Sequence, residues 1–172
     1  DNFQMKETLE LINSLIDEGI ILKYAIGGGI ACLYYIEPTS TFDLDIFVIL
    51  AVEENILNPL KPFYEWAEKK RFKFKDEHII LNTIPVQFLP VYNDLVKEGV
   101  ENSRKVKIQD TDTFILSPEY LIAIMLQTNR AKDKIRSLQL YEETPLDKIL
   151  LDNILKKYNL TDRLNNIINL NK

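Results

Sequence analysis

Two aspartates one residue apart, in the segment Asp43-Leu44-Asp45-Ile46, are the residues of this chain best suited to do chemistry. Side chains of a strand alternate between its two faces, so Asp43 and Asp45 are expected on the same face. Two carboxylates held together repel each other, and a divalent cation is the usual means of neutralising them. The glycine run Gly27-Gly28-Gly29 ends 14 residues before Asp43, and backbone without a Cβ can approach a phosphate closely. The spacing therefore predicts a magnesium-nucleotide site. A solvated strand end and a tight strand-to-helix turn are the alternative explanations of the aspartates and the glycines.

The elements around these residues must bring the glycines to the aspartates. Residues 20–26 are a short apolar run bounded by glycines, which predicts a buried strand. Residues 30–36 predict a short helix directly after the glycines, and residues 43–50 predict a second strand. In that second strand, alternation places both aspartates on one face and an apolar row on the other.

The remaining segments predict an α/β (α+β) fold with a mixed, largely antiparallel sheet and flanking helices. Three neighbouring antiparallel strands are predicted in residues 71–75, 78–81 and 84–89, and two short edge strands in residues 106–108 and 113–116. Helices are predicted in residues 5–18, 53–70 (interrupted near Pro59 and Pro62), 92–99, 119–129, 131–140, 146–157 and 161–169. Because Ser117 suits an N-cap and Pro118 a first helical position, the pattern divides the chain into a core of residues 1–116 and a helical C-terminal section of residues 117–172 packed on that core.

Composition narrows the classes of function. The 172 residues, 46% hydrophobic and 27% charged, suit one globular domain or a compact unit with a helical appendage. A single cysteine, Cys32, cannot form an intramolecular disulfide. Together with the lack of a long apolar run or a visible signal peptide, it favours the cytoplasm. The one histidine, His78, is interpreted as a strand residue rather than a catalytic base. The net charge of −5 makes the whole molecule an improbable polyanion binder.

Local basic segments leave a nucleic-acid contact open. Arg71, Lys73 and Lys75 alternate, and such a row is either a backbone-binding stripe or, as we favour, the solvent face of an edge strand. The segment that runs from Arg130 to Arg136 is either a phosphate-binding face or a solvated helix face.

The two motifs resemble the signature of a known superfamily. Gly28-Gly29-Ile30-Ala31, followed after 13 intervening residues from Gly29 by Asp43-Leu44-Asp45-Ile46, is similar to the pattern of the nucleotidyltransferase superfamily typified by DNA polymerase β. Within it, the chain looks most like the small AbiEii-type, toxin-like nucleotidyltransferases. Val86-Gln87-Phe88-Leu89-Pro90, Glu119-Tyr120-Leu121-Ile122-Ala123 and Arg130-Ala131-Lys132-Asp133 also have the look of that group.

The resemblance implies an enzyme that transfers a nucleoside monophosphate from a nucleoside triphosphate to an acceptor hydroxyl. Asp43 and Asp45 would be the catalytic metal ligands for two Mg²⁺ ions, and Gly28, Gly29 and Thr41 would contact the nucleotide. The resemblance also implies a nucleotidyltransferase-type sheet, an RNA, tRNA, protein or small-molecule acceptor, and a cognate antitoxin as a partner.

The sequence departs from the superfamily pattern at two positions. Where the resemblance implies a third carboxylate, the chain has Gln87, and a glutamine amide cannot accept a proton at neutral pH. Asp76 or Glu77 could substitute, the metal alone could activate the acceptor, or activity could be lost. Thr39 stands where relatives often have an arginine, which leaves Lys132 as the best cation for the triphosphate, with Arg130 or Lys134 as substitutes.

These departures favour a second hypothesis besides that of an active transferase. The chain could be a catalytically degenerate nucleotide-binding module, or an antitoxin-like interaction module, on the same fold. A purely structural helical adaptor explains neither the glycines nor the aspartates.

Overall fold

A computed structural model of the chain describes residues 5–36, 43–51 and 57–172. Seven strands lie in this part of the chain: β1 (Ile21–Gly27), β2 (Leu44–Leu50), β3 (Lys73–Lys75), β4 (His78–Leu81), β5 (Ile84–Pro90), β6 (Arg104–Ile108) and β7 (Thr111–Ile115). Eight helices accompany them: α1 (Lys6–Asp17), α2 (Gly28–Tyr35), α3 (Lys61–Lys69), α4 (Asp94–Glu101), α5 (Pro118–Thr128), α6 (Ala131–Glu143), α7 (Lys148–Lys157) and α8 (Thr161–Leu170).

All seven strands form one mixed sheet in the order β3-β4-β5-β2-β1-β7-β6. The pairs β1–β2, β3–β4, β4–β5 and β6–β7 are antiparallel, whereas β1–β7 and β2–β5 are parallel. The predicted α/β class with a largely antiparallel sheet is therefore confirmed. Strand β2, which contains Asp45, and strand β1, which ends at Gly27, lie next to each other at the centre of this sheet.

Tight turns build the hairpins β4–β5 and β6–β7. Asn82 and Thr83 join β4 to β5, and Gln109 and Asp110 join β6 to β7, in each case with positive φ at both turn residues. Two-residue turns of this kind follow the right-handed twist of the strands they connect, so they fix the hairpin register. The predicted trio of antiparallel strands is confirmed as β3–β4–β5.

Three predictions of detail need correction. The strand predicted in residues 113–116 as an edge strand is β7, which lies between β1 and β6, so of these two strands only β6 is at an edge of the sheet. The helix predicted from residue 30 begins at Gly28, because the glycine run itself forms its first turn. In the region predicted as an interrupted helix over 53–70, the described residues form only α3, and residues 52–56 lie outside the described part.

Helices α1 and α3 pack against the sheet through buried apolar residues. Phe63 of α3 stacks on Phe88 of β5 with ring centroids 4.6 Å apart. Trp66 completes this contact, and its indole N–H donates to Glu18 beyond the end of α1. The edge strand β3 exposes Lys73 and Lys75, which agrees with the interpretation of the alternating basic row as a solvent face.

The C-terminal helices are anchored through α5. Every residue of α5 from Pro118 to Leu126 is buried, and α5 packs against α4, α6 and α7. Ser117 occupies the N-cap position as predicted, but its hydroxyl makes no capping hydrogen bond. Glu98 of α4 ties the section down by accepting hydrogen bonds from Tyr120 of α5 and from Lys157 and Tyr158 at the end of α7. No helix in the described residues is both long and apolar enough to cross a bilayer.

Candidate functional site

The aspartate pair lies where β2 begins. Asp43 immediately precedes β2 with a side chain that is 54% exposed, and Asp45 is half-buried within the strand. In the sheet register Asp45 stands opposite Gly27 of β1 on one side and Gln87 of β5 on the other. The sheet therefore places the first glycine, Asp45 and Gln87 side by side on three adjacent strands.

The glycine run closes directly on Asp45. Gly28 has a φ of +57°, a left-handed conformation that favours glycine. A Cβ built on Gly28 would overlap the Asp45 carboxylate oxygen Oδ2 and lie 3.0 Å from the Asp45 Cγ. A Cβ on Gly27 would lie 2.7 Å from Cδ2 of Phe47. The sequence predicted that the glycines let backbone approach a phosphate, and that stays a prediction. The close approach in the structure is that of the first turn of α2 to the Asp45 carboxylate.

The electrostatic setting of Asp45 favours a bound cation. Burial raises the pKa of the Asp45 carboxyl, and the neighbouring Asp43 charge adds to that rise. The positive charges of Lys132, His78 and Arg136 oppose it without cancelling it. A half-buried carboxylate beside a second one is stabilised in its ionised form when a divalent cation joins the pair.

His78 is a site residue that sequence reasoning missed. It begins β4, as its interpretation as a strand residue requires, yet its Nε2 also lies 3.6 Å from Oδ2 of Asp43. β4 is two strands away from β2, with β5 between them. The contact depends on the order of strands in the sheet, which the predicted hairpin β4–β5 by itself does not give.

The carboxylate of Glu77 lies beside Gln87. Its amide Nε2 donates to Oε2 of Glu77 over 3.1 Å. Asp76, the other candidate substitute, sits in the β3–β4 turn with a φ of +54° and shows no such contact with Gln87 among the hydrogen bonds of the described residues. Of Asp76 and Glu77, the structure therefore brings Glu77 to Gln87, which stands opposite Asp45 in the sheet.

The N-terminal turn of α6 brings positive charge to the site. Arg130 is engaged by Asp133: its Nε donates to the buried Asp133 carboxylate over 2.7 Å, and this bond raises the pKa of the guanidinium. Lys132 is exposed and acts on Asp45 as its strongest opposing charge. The charge of Lys132 thus acts on the Asp45 carboxylate, while Arg130 already has a partner. Lys134 is exposed on the same helix, and Thr39 and Thr41 lie outside the described residues.

The residues present suit a magnesium ion shared with a nucleotide. Magnesium takes one or two carboxylates and completes its octahedral shell with water and phosphate oxygens. Within the described ranges, no group of three or more His, Cys, Asp or Glu could hold a metal by itself. Asp43 and Asp45 therefore suit a cation that completes its shell with phosphate and water oxygens, and not an all-protein cage.

Comparison with known proteins shows the fold. No family model and no curated protein matches this sequence. The solved structure of an antigenic nucleotidyltransferase-like protein from Paracoccidioides brasiliensis aligns with 95% of this chain and 93% of its own, with a TM-score of 0.54 and 14% identity. The chain therefore has the nucleotidyltransferase-like fold that the resemblance implies.

Two structures of ANT(2'')-Ia are also similar, each at 14% identity. One, in complex with adenylyl-2''-tobramycin, has a TM-score of 0.47 and aligns with 88% of this chain and 98% of that one. The other is a solution structure of the same antibiotic-resistance factor, with a TM-score of 0.46 and coverage of 88% and 92%.

Proposed function

We propose that this chain is a magnesium-dependent nucleotidyltransferase that moves a nucleoside monophosphate from a nucleoside triphosphate to an acceptor hydroxyl. The observation that carries the proposal is the direct contact between the glycine run and the aspartate pair. Gly28 adopts a left-handed conformation against the carboxylate of Asp45, and the charge of Asp43 acts on that same carboxylate. A plain strand-to-helix turn does not need a half-buried carboxylate in contact with its glycine.

Each residue of the site has a distinct role in this proposal. Asp43 and Asp45 would hold the magnesium, which when bound would neutralise the triphosphate and favour departure of pyrophosphate. Gly28 and Gly29 offer backbone N–H groups at the N-terminal turn of α2, where phosphate binds favourably. Lys132 adds a positive charge opposite Asp45.

Glu77 is our candidate for the proton acceptor. A glutamate can take the proton of the acceptor hydroxyl, which Gln87 cannot. The hydrogen bond from Gln87 to Oε2 of Glu77 would then hold this carboxylate beside Asp45. Gln87 is a positioning residue in this scheme.

Label transfer tests the proposal. The protein would be incubated with Mg²⁺ and each of the four α-³²P-labelled nucleoside triphosphates, together with RNA, protein or small-molecule pools. We expect label in one pool, and its loss by at least about 100-fold in Asp43→Asn and Asp45→Asn. Asp152→Asn, an exposed position on α7, is the matched control and should transfer normally. Full activity in both site variants contradicts the proposal.

A non-catalytic nucleotide-binding module is the second candidate, and Gln87 is the observation that favours it. A thermal-shift titration separates the two, because a ligand that binds only the folded state raises the melting temperature. Stabilisation by Mg²⁺ and a nucleotide, without label in any pool, supports the binding module. Failure of every nucleotide to stabilise the protein contradicts both candidates.

A toxin-like role with a cognate antitoxin partner is the narrower form of the proposal. Expression of the wild-type chain should then arrest growth of the host, whereas Asp45→Asn should not. Equal growth with both chains contradicts this narrower form and leaves the transferase itself in place.

A further inference from the structure

A large cleft borders the site at Gln87 and Glu77. It has a volume of 1290 Å³ and runs from Gln87 and Glu77 along β5 and β2 toward α3 and α4. Sites for small molecules usually have about 300–1,000 Å³, so this cleft has room for a whole ligand. None of the roles assigned above uses it, apart from those of Gln87 and Glu77.

The cleft meets the site at one end only. Gln87 lines the cleft and also stands opposite Asp45 in the β2–β5 register. Glu77 lines it beside Gln87, with 3.1 Å between the glutamate oxygen and the amide nitrogen. A hydroxyl group bound at this end would therefore lie beside the proposed proton acceptor and one strand away from Asp45.

The walls are predominantly apolar. Leu60, just before α3, and Leu89 of β5 contribute to the lining together with the stacked rings of Phe63 and Phe88, and Leu22 of β1 lines it with 63% of its surface exposed. Apolar walls with a few polar groups at one end bind amphipathic molecules and orient them by the polar end.

The charges of the lining balance. Among the described lining residues the lysines are Lys23 and Lys97 and the acids are Glu77 and Glu101, so two positive charges meet two negative ones. Lys23 is further occupied by a hydrogen bond to the backbone oxygen of Glu101. A polyanion such as RNA needs a row of free cations, and a polycation needs an excess of acids. The lining offers neither.

We propose that this cleft is the acceptor site and that its acceptor is an uncharged, amphipathic small molecule with a hydroxyl group at the Gln87 end. This inference rests on the proposed function. The acceptor oxygen forms a bond to the α-phosphorus, the bond from that phosphorus to the β-bridging oxygen breaks, and pyrophosphate leaves. The hydroxyl proton passes to the carboxylate of Glu77.

Binding of N-phenyl-1-naphthylamine, a neutral fluorophore, tests the site without catalysis. We expect saturable binding of one equivalent in the absence of Mg²⁺ and nucleotide. Leu89→Arg should weaken it at least 10-fold, and so should Leu22→Arg, whose exposed position tolerates a charged side chain without unfolding. Ile149→Arg, an equally apolar position that is 76% exposed on α7 and outside the cleft, is the matched control and should bind as wild type. Circular dichroism checks that each variant is folded.

Displacement of the fluorophore tests the class of acceptor. Monomeric octyl glucoside, an uncharged amphipathic alcohol, should displace it, whereas tobramycin and an oligoadenylate should not. Equal binding by the wild type and both cleft variants overturns the site, and displacement by the polycation or the oligonucleotide overturns the class of acceptor.

The outcomes separate this inference from the function on which it rests. Asp45→Asn should bind the fluorophore normally although it transfers no label. Normal binding with no transfer to any pool overturns the transferase and with it the acceptor role, while the cleft stands as a binding site. Transfer to RNA or protein together with no fluorophore binding overturns the cleft proposal alone.

Discussion

Replacement of Gly28 by alanine tests whether the aspartate pair depends on the close packing of the glycine run against it. Gly28 has a φ of +57°, and a Cβ there would overlap Oδ2 of Asp45 and lie 3.0 Å from its Cγ and 3.1 Å from its Cβ. Because Asp45 is half-buried in β2, its short side chain can relieve the overlap only by turning away from the glycines. The substitution therefore displaces a proposed metal ligand without changing its chemistry.

Two separate costs determine the loss of stability. A left-handed conformation costs a residue with a Cβ about 1–2 kcal/mol, and an extra carbon forced into a packed site costs about 1–3 kcal/mol. We expect Gly28→Ala to lower the free energy of unfolding by about 2–5 kcal/mol in total. Label transfer should fall at least about 100-fold, because a displacement of about 1 Å at a reacting centre has that effect.

Urea denaturation of four variants, compared with the wild type, isolates the cost of the overlap. Gly19→Ala is the control for backbone conformation, since Gly19 has a φ of +74° and a Cβ there meets nothing within 4 Å; it should cost only about 1–2 kcal/mol. Asp45→Ala removes the overlapping carboxylate, so Gly28→Ala made in that background should cost about as little as Gly19→Ala. An equal loss of stability from Gly28→Ala with and without the Asp45 carboxylate would contradict the overlap between the two side chains.

Two further predictions concern groups outside the site. Burial pushes the pKa of Glu98 up, but hydrogen bonds from Lys157, Tyr120 and Tyr158 outweigh it and hold the pKa below its usual value. Glu98→Gln should therefore lower the free energy of unfolding by about 2 kcal/mol at pH 7, and this loss should shrink as the pH falls through the pKa of Glu98 in the folded state. Exposed Glu101→Gln is the control. A loss of stability that stays unchanged at acid pH contradicts the lowered pKa of Glu98. Burial raises the pKa of the Cys32 thiol to about 11, so a disulfide reagent at pH 8 should label it only after unfolding in urea; rapid labelling of the native protein contradicts its burial.

Local patterns were enough to predict most elements. The apolar run of β2 predicted that strand, and the turn residues Asn82 and Thr83 separated β4 from β5. The helical pattern after Ser117 gave four helices close to those observed. These features depend on neighbours in sequence, which is why periodicity and turn chemistry reveal them.

Long-range features could not be predicted in the same way. Gln109, in the β6–β7 turn, accepts hydrogen bonds from the backbone N–H groups of Met5 and Lys6 and so caps α1 from 104 positions away. The contact of His78 with Asp43 and the interior position of β7 follow from the order of strands in the sheet. No residue type or spacing encodes that order locally.

Diffraction from crystals soaked with Mn²⁺ and a non-hydrolysable ATP analogue is the decisive test of whether the two aspartates hold the metal, because manganese replaces magnesium and is located by its anomalous signal. We expect a manganese peak bound by carboxylate oxygens of both Asp43 and Asp45, with the triphosphate against Gly28 and Gly29. An analogue bound elsewhere, or manganese bound away from these two aspartates, would contradict the proposed site.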